Sequence, residues 1–588
     1  MYTILENARI VISLLKEHNI KHVVVSPGGS NIPIVQGIQQ DPFFKCYSVV
    51  DERSAMYFAI GLYLELGVPI ATSCTSAQAT RNYLPGLTEA FYKHVPILAI
   101  TMSKHPRYLS QDYMQCPIQT SMPVDTVKKS FSLPYISSSL DRMLCVRTVN
   151  EAILELTHHR PGPIQLNIEE LDNETWMFDT DVKLPKVRVI KRYKEYDSFT
   201  CDLNGKKVLM VIGEHRPFTE SEKIMIENFS ENNNVFIYSN NVSNYHGKYA
   251  CNGNLVAFST SQKLFDVALS PDIVITIGGL TGDYGIFGLL SNAPDGSFEH
   301  WRVDTAGDVI DTYGKLTKVF EMRIEEFCKL YEGQKQSTNH DYYKSWMDRE
   351  NVMQRNVEVP FSNLFAAQVL YSHIPAGSCM HFAILNSFRV WNFLRLPASV
   401  KCASNVAAFG IDGCLSTMLG QSVEVDNMCF LITGDLSFFY DMNALGIRHI
   451  RNNVRILLVN NNGGAEFKLG DLQTKTDVSS YISAAGHFKD AKGWAGTNGF
   501  IYYSAHNKIE FNQFVDSFTS DSKAPILFEV FTTPEDEKKA NEKIISVNYK
   551  GLPSETFINT LKNKFKENIG QEGISTIKKI LGKYNRES

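Results

Sequence analysis

Two short stretches carry residues that could hold a metal ion and a phosphate. The strand-like run CFLIT ends in Gly434 and Asp435, and the run ILLV ends in three asparagines and two glycines at 460–464. Carboxylate, amide and backbone oxygens are ligands that suit Mg²⁺, which often holds phosphates itself. Phosphates bind at the carboxyl ends of parallel strands, facing a helix N-terminus. The two stretches together predict a magnesium–diphosphate site, although each alone is also typical of an ordinary strand-to-helix turn.

The elements that must position these residues follow a strand–helix alternation repeated in three segments. Buried strand-like runs end in Gly, Pro or Asn turns and are separated by helical stretches, a rhythm typical of α/β folds. The sequence therefore predicts three tandem doubly wound parallel-sheet domains and a Lys-rich helical tail. We place the domains at 1–182, 197–330 and 357–540, and the tail at 541–588. The polar, basic stretch 183–196 is predicted to be a linker.

Composition narrows the class of protein. The 588 residues are 44% hydrophobic and 21% charged, as in a globular protein, and the net charge of −5 gives no basic field for nucleic acid. No apolar run reaches the roughly 18 residues of a membrane span, and the amphipathic N-terminus lacks the form of a signal peptide. The eleven scattered cysteines contain no C-x-x-C pair, which favours reduced thiols. We expect a cytoplasmic protein without nucleic-acid or membrane partners.

The spacing of Gly-Asp and the following Asn-Asn resembles the signature of thiamine-diphosphate-dependent enzymes, whose chains run pyrimidine-binding, central and diphosphate-binding domain. The finer resemblance is to the SEPHCHC synthase family, which decarboxylates 2-oxoglutarate and adds the product to isochorismate. The shared stretches are VVVSPGGSNIPI (23–34), DERSA (51–55), CTSAQATRNYLPGLTEA (74–90), LNSFRVW (385–391), SNVAAFGIDGCLSTMLG (404–420), GDLSFFYDMNAL (434–445) and NNNGGAEF (460–467). The resemblance implies thiamine diphosphate and Mg²⁺ as cofactors.

The resemblance also assigns roles to residues near the cofactor. It implies that Asp435, Asn461 and the Gly463 carbonyl bind Mg²⁺, with Asn462 as a substitute for Asn461 because the loop looks shorter than usual. Further cofactor contacts are implied for Gly434, Leu436, Ser437, Ile411 and Pro27.

Glu52 is implied to activate the cofactor. A carboxylate bonded to the aminopyrimidine ring nitrogen favours the imino tautomer, which can remove the weakly acidic C2 proton. By itself, an Asp51–Glu52 pair is more often a helix start that complements the macrodipole, and only the family resemblance reverses that order. In the family the glutamate and the metal site meet across a subunit interface, which implies a homodimer or a dimer of dimers.

The substrate pocket departs from the family. The family's Ser-Arg-Ser reads Gly29-Ser30-Asn31 here, its pocket arginine is replaced by Trp391 with Arg389 two positions earlier, and its Asn-Arg-Gly reads 405–407 Asn-Val-Ala. The pocket residues we predict are Gly29, Ser30, Lys104, Gln115, Arg389, Trp391 and Phe467. Lys104 replaces an arginine, the loop 279–287 lacks its basic residue, and Gln115 matches a family glutamine. Because bidentate arginine–carboxylate pairs are hard to replace, these losses argue against isochorismate and weaken the case for 2-oxoglutarate.

Glu466 stands where the family has an apolar residue beside the reactive ring. Two interpretations remain open. The carboxylate could point into the reaction zone, as an acid–base group or as a partner for a polar or cationic substrate, or it could face solvent or pair with Lys468.

The sequence thus predicts a thiamine-diphosphate- and Mg²⁺-dependent enzyme. It would decarboxylate a 2-oxo acid and transfer the acyl-anion equivalent to an acceptor, or protonate it. One alternative is true SEPHCHC synthase activity with a rebuilt pocket. Another, from a different class, is a non-catalytic or NAD-type nucleotide-binding protein, although VSPGGS is not a G-x-G-x-x-G motif.

Overall fold

The computed structural model describes residues 1–171, 174–333, 339–468 and 479–551. The chain divides into two compact units. The first unit comprises residues 1–198 and 300–322, and the second comprises 199–299 and the chain from 323 onward. Within the described ranges, no helix is both long and apolar enough to span a membrane.

Most of the described strands form three groups of parallel sheet, and the two short strands Tyr2–Thr3 and Phe178–Asp179 form an antiparallel pair. In chain order they are β1 Tyr2–Thr3, β2 His22–Val25, β3 Lys45–Ser48, β4 Ile70–Cys74, β5 Ile97–Lys104, β6 Ser130–Leu133, β7 Ile164–Glu170, β8 Phe178–Asp179, β9 Lys191–Lys194, β10 Val208–Ile212, β11 Val235–Ser239, β12 Ala250–Asn252, β13 Ile273–Ile277, β14 Glu299–Val303, β15 Leu316–Glu321, β16 Cys379–Phe382, β17 Lys401–Ser404, β18 Cys429–Gly434, β19 Val454–Asn460, β20 Ile501–Ala505 and β21 Ile526–Phe531.

Helices follow most of the strands. They are α1 Glu6–Glu17, α2 Ile32–Gln39, α3 Glu52–Leu66, α4 Gln78–Asn82, α5 Leu84–Lys93, α6 Ser139–Glu155, α7 Glu220–Asn232, α8 Asn254–Phe258, α9 Gln262–Leu264, α10 Tyr284–Ser291, α11 Ile324–Lys329, α12 Asp341–Glu350, α13 Asn363–Leu370, α14 Asn386–Asn392, α15 Cys414–Ser422, α16 Asp435–Tyr440, α17 Ser479–Ile482, α18 Lys492–Thr497, α19 Lys508–Thr519 and α20 Pro534–Asn548.

The first unit contains a six-stranded sheet in the order β3-β2-β4-β5-β7-β6, and its neighbouring strands are all parallel. Its two faces have separate hydrophobic cores. Val23 and Leu98 belong to one core, whereas Val24 and Ile97 belong to the other. Successive side chains of a strand point to opposite faces, so helices cover both sides of this sheet.

The second unit contains an equivalent sheet in the order β17-β16-β18-β19-β21-β20, again parallel throughout. Phe430 and Leu457 pack in one core, and Leu431 and Ile456 pack in the other. This sheet is also doubly wound, and it carries the Gly434–Asp435 and 460–464 stretches at one edge.

The central segment contributes parallel strands to both units. β11 pairs with β12 and β10, and β10 pairs with β13, within the second unit. In the first unit β15 pairs with β14 and β9, so Lys191–Lys194, in the predicted linker, is a strand instead. The predicted α/β class with three doubly wound parallel sheets is confirmed, and the domain boundaries remain predictions.

The predicted C-terminal tail is described only in part. Its first residues belong to α20, which ends at Asn548. Residues 552–588 lie outside the described residues.

Candidate cofactor site

Asp435 lies where two neighbouring strands end. β18 and β19 are in parallel register, with Gly434 opposite Val459, and α16 begins at Asp435 directly after β18. The Asp435 side chain is buried. Its Oδ2 accepts the backbone N–H groups of Asn461 at 3.0 Å and Gly463 at 2.9 Å. The fold thus brings the two chemistry-bearing stretches together.

Burial of the Asp435 side chain makes its charged form unfavourable. Burial raises its pKa above the ordinary value, and donors from His487, Gly463 and Leu436 oppose that rise. The Leu436 N–H donates to Oδ1 at 2.7 Å. A cation beside the carboxylate would offset the desolvation of its charge.

Asn461 supplies a second oxygen of the right chemistry. Its side chain is buried, and its Oδ1 has no hydrogen-bond partner among the described residues. A buried unsatisfied acceptor costs about 1–3 kcal/mol, a cost that a bound cation would remove. The other two asparagines are less suited: Asn460 donates its amide to Glu529 at 2.7 Å, and Asn462 is only half-buried. The residues present therefore fit a hard divalent cation.

Gly463 closes the loop in a conformation that other residues rarely adopt. Its φ is +155°, and a Cβ at this position would lie 2.8 Å from the carbonyl oxygen of Ser483 and 2.9 Å from the Cα of Ala485. A side chain here would push the loop away from Asp435. The carbonyl of Gly463 remains the predicted third metal ligand.

His487 is a member of this site that sequence reasoning missed. Its Nε2 lies 3.0 Å from Asp435 Oδ2, and the preceding Gly486 donates its N–H to the Asn462 carbonyl at 2.9 Å. A hydrogen bond to a ligand carboxylate is the usual way in which an outer residue orients a metal ligand. No spacing pattern links His487 to Asp435, so the sequence offered no signal for it.

The other residues predicted to contact the cofactor from this unit lie at the same edge. Ser437 in α16 donates its hydroxyl to the Ile411 carbonyl at 2.6 Å, which ties the 411 loop to the start of α16. Gly434 ends β18, and Leu436 is half-buried beside Asp435. These positions surround the predicted metal ligands.

Glu52, in the first unit, opens α3. Asp51 is the N-cap, and its side chain accepts the Arg53 N–H, so the capping role belongs to Asp51 and not to Glu52. Asn82 donates to Glu52 Oε2 at 2.9 Å. The carboxylate is half-buried, and its other oxygen, Oε1, accepts no hydrogen bond from the described residues.

The remaining predicted residues of the first unit lie around two strand ends. The loop after β2 carries exposed Pro27, exposed Gly29 and buried Ser30. Lys104 ends β5 and pairs with Glu170 at 3.2 Å. Gln115 is exposed in a later loop.

Glu466 has a partner that the sequence did not indicate. Arg389 in α14 binds it through two parallel hydrogen bonds, Nη1 to Oε2 at 2.9 Å and Nη2 to Oε1 at 2.6 Å. The guanidinium also lies 5.9 Å from the ring centre of Phe258. Both side chains are largely shielded from solvent, so this is a strong, charge-assisted pair.

The two aromatic residues predicted for the pocket differ in position. Phe467 is exposed next to Glu466, whereas Trp391 is fully buried. The Trp391 indole donates to Asn363 Oδ1 at 3.2 Å and packs in the hydrophobic core. Arg389 and Trp391 lie two positions apart on α14 and therefore point to different sides of the helix.

A small cavity lies beside Arg389 in the second unit. Its lining residues are Asn254, Phe258, Gly282, Tyr284, Leu385, Arg389 and Phe409. Asn254 is buried, and its Oδ1 has no hydrogen-bond partner within the described ranges. The cavity thus combines aromatic walls, one unsatisfied acceptor and a guanidinium already neutralised by Glu466.

The chain is similar to known proteins along most of its length. Residues 6–122 match the family model described as the thiamine pyrophosphate enzyme N-terminal TPP binding domain. A 2-succinyl-5-enolpyruvyl-6-hydroxy-3-cyclohexene-1-carboxylate synthase of Bacteroides thetaiotaomicron is 34% identical over 90% of this chain and 97% of its own length. The synthase of Phocaeicola vulgatus is 33% identical over 94% and 99%, and that of Desulfotalea psychrophila is 28% identical over 88% and 96%.

These similarities span nearly the full length of both chains, so they concern the whole architecture. The chain belongs to the family of thiamine-diphosphate-dependent enzymes that includes these synthases, and its cofactors are thiamine diphosphate and a divalent metal ion.

Proposed function

We propose that the protein decarboxylates a 2-oxo acid and transfers the acyl-anion equivalent to an acceptor, forming a carbon–carbon bond, or protonates it. The observation that carries this proposal is at the carboxyl ends of two parallel strands: buried Asp435 accepts the Asn461 backbone N–H, and the buried amide oxygen of Asn461 has no partner among the described residues. When bound, thiamine diphosphate supplies an electron sink for the decarboxylation. We take the metal to be Mg²⁺, since its ligands here are hard oxygens.

The chain's own residues then have distinct tasks. Asp435, Asn461 and the Gly463 carbonyl hold the metal, and His487 orients the aspartate. With the cofactor bound, Glu52 would share a proton with a ring nitrogen of the aminopyrimidine and so favour the tautomer that can take up the C2 proton. Glu466 fixes Arg389, because a bidentate pair uses both of its oxygens.

The charges of the predicted pocket favour a substrate with few carboxylates. Both cationic residues predicted to meet the substrate already have carboxylate partners within their own units, Lys104 with Glu170 at 3.2 Å and Arg389 with Glu466 at 2.6 Å. A substrate carboxylate approaching either cation would have to displace a protein carboxylate or remain without its own cation. We therefore propose an acceptor that is polar but not acidic.

The second candidate is SEPHCHC synthase activity itself, on 2-oxoglutarate and isochorismate. The similarity to synthases over about nine-tenths of the chain favours it. The two candidates differ in substrate charge and share the cofactor chemistry, so one set of assays separates them. A non-catalytic nucleotide-binding role is distinguished by the absence of any CO₂ release.

The test measures CO₂ release by the holoenzyme from pyruvate, 2-oxobutyrate and 2-oxoglutarate, followed by mass spectrometry of products formed with isochorismate. We expect turnover of a monocarboxylic 2-oxo acid and no efficient SEPHCHC formation. Efficient turnover of 2-oxoglutarate with isochorismate would establish the second candidate.

Glu466→Gln tests the charge argument directly. The variant removes the negative charge that compensates Arg389 and leaves one neutral acceptor, and hydrogen bonds to charged groups are worth roughly 1.5–3 kcal/mol. We expect the ratio of kcat/KM for 2-oxoglutarate over pyruvate to rise by about tenfold or more, while affinity for thiamine diphosphate stays the same. Glu358→Gln, at an exposed position of the same unit, is the control. A lower turnover with a shifted pH–rate profile and no change in that ratio would instead make Glu466 an acid–base group.

We further propose that the protein acts as a homodimer or a dimer of dimers in the cytoplasm. Glu52 and Asp435 lie in different compact units, and the family resemblance places such residues on opposite sides of a subunit interface. The eleven free cysteines support a reducing compartment.

A further inference from the structure

Glu529 is a buried carboxylate beside the strand that leads into the proposed metal ligands. It lies on β21, which pairs with β19. Its side chain is fully buried and makes no ion pair with any residue in the described ranges. Burial raises its pKa, and the hydrogen bonds that it accepts oppose that rise. A charge buried without a cation is unfavourable unless hydrogen bonds replace its water, so the segments that supply those bonds are held to it.

Two segments of the site donate hydrogen bonds to Glu529. We call residues 460–464 the metal loop and residues 487–491 the histidine segment. From the metal loop, the Asn460 side-chain amide donates to Oε1 at 2.7 Å. From the histidine segment, the Ala491 backbone N–H donates to Oε2 at 2.9 Å. One carboxylate therefore joins both segments.

The metal loop and the histidine segment are also bonded to each other. Asn460 Nδ2 donates to the Lys489 carbonyl at 2.8 Å, and Asn460 Oδ1 accepts the Asn462 N–H at 3.2 Å. The Lys489 N–H donates to His487 Nδ1 at 3.0 Å. Because Nδ1 accepts this bond, the ring proton is on Nε2, which donates to Asp435. These bonds therefore fix both the orientation and the tautomer of His487.

We propose that Glu529 is a positioning residue for the metal ion: it holds the metal loop at a fixed separation from the histidine segment, and so keeps Asp435 and Asn461 in place for the cation. The inference rests on the metal ligands proposed above, and Glu529 bonds to none of them directly. Residues that act on a metal through its ligands typically change metal affinity by about 10–100-fold when they are replaced.

Glu529→Gln should break the bond to the metal loop and keep the others. The glutamine oxygen can take the place of Oε2, which accepts the Ala491 N–H and the Tyr502 hydroxyl at 2.8 Å. Its NH₂ group then faces the Asn460 amide, which is also a donor. Turning the Asn460 amide round would instead give up its bond to Lys489. The variant therefore separates the two segments while it keeps the size of the side chain.

The test determines the Mg²⁺ concentration that gives half-maximal binding of thiamine diphosphate to the full-length protein, by titration calorimetry at a fixed cofactor concentration. We expect Glu529→Gln to raise that concentration by about tenfold or more. Glu424→Gln, at an exposed position of the same unit, should leave it unchanged. A merely structural role would lower the melting temperature of the apoprotein and leave the Mg²⁺ requirement as it is, and that result would overturn the proposal.

Asn460→Ala tests the same link from the other side. It removes the bond to Glu529 Oε1 and leaves both donors to Oε2, so it gives the answer if Glu529→Gln folds too poorly to titrate. We expect a raised Mg²⁺ requirement, and no further rise when Glu529→Gln is added, because both substitutions break one link. An unchanged requirement in Asn460→Ala, or fully additive losses in the double variant, would contradict the proposal.

Asp435→Ala separates this inference from the ligand assignment on which it rests. If Asp435→Ala binds thiamine diphosphate with the unmutated Mg²⁺ requirement, the ligand assignment and the role of Glu529 are both wrong. If Asp435→Ala loses Mg²⁺-dependent binding while Glu529→Gln and Asn460→Ala keep it, only the role of Glu529 is wrong.

Discussion

Asp435 is the single residue on which cofactor binding should depend most. Asp435→Ala removes the proposed charged metal ligand and the acceptor of the Asn461 and Gly463 N–H groups. Since loss of even an outer-shell partner costs about 10–100-fold in metal affinity, we expect thiamine diphosphate affinity in the presence of Mg²⁺ to fall by more than about 100-fold. Calorimetry measures it, with Asp426→Ala as control because that side chain is 95% exposed. Unchanged affinity in Asp435→Ala would remove the metal-site assignment.

Glu52 should act on the cofactor's reactivity without controlling its binding. Glu52→Gln keeps the size of the side chain and its bond to Asn82 but cannot stabilise the protonated ring. We expect C2 hydrogen–deuterium exchange to slow on the order of 10²–10⁴, with cofactor affinity nearly unchanged. Glu65→Gln, at an exposed position of the same helix, is the matched control. Exchange at the unmutated rate would leave Glu52 as a helix-start residue.

At the scale of single residues, the sequence predicted the site residues that lie at strand ends. It did not indicate contacts between side chains that are far apart in the chain. Asp435 and Asn461 follow neighbouring strands, so their meeting could be predicted from the α/β rhythm. The Arg389–Glu466 pair joins residues 77 positions apart, and His487 reaches Asp435 from 52 positions away. Neither pair has a local pattern, because the fold and not the spacing brings them together.

Among the elements, the strands were easier to predict than which side chains of a helix face the core. Runs such as 429–434 and 454–460 are buried on both faces and read as continuous apolar segments. α14 shows the opposite case: its sequence NSFRVWN does not say which of Arg389 and Trp391 faces the core. The predicted linker was misjudged because β9 is short and basic, and its pairing with β15 is a long-range contact.

β16 contains a buried histidine that should make the free energy of unfolding depend on pH. His381 is 1% exposed, and burial lowers its pKa from 6.5 to about 4. Between these values the unfolded chain binds a proton that the folded chain does not, so the free energy of unfolding falls as the pH falls from 6.5 to about 4. We expect His381→Gln to flatten that part of the stability–pH curve, measured by chemical denaturation. The exposed His449→Gln should keep the unmutated slope, and an equal slope in both variants would contradict the assignment.

At the scale of the whole molecule, helix α3 of the first unit exposes large apolar side chains, and the same helix begins with Glu52, the proposed activator of the cofactor. α3 opens with Glu52 and carries Tyr57, Phe58, Leu64 and Leu66, which are 47%, 43%, 67% and 40% exposed. A cluster of large apolar side chains on one helix is typical of an interaction surface. A second copy of the chain is the partner consistent with the proposed homodimer, in which α3 of one subunit helps to complete the cofactor site of the other.

Leu64→Glu should therefore disrupt the oligomer and leave the fold of the subunit unchanged. The substitution places a charge on an exposed position of α3, where it cannot disturb the core, but where it would be desolvated in an interface. We expect the unmutated protein to run as a dimer or tetramer in light scattering, and the variant to become monomeric at micromolar concentration with an unchanged circular dichroism spectrum. Cofactor activation, measured by C2 exchange, should fall with the dimer fraction. Leu140→Glu is the matched control, since Leu140 is 69% exposed on α6 of the same unit. A monomeric unmutated protein with full C2 exchange, or equal dissociation of both variants, would show that α3 is not the interface.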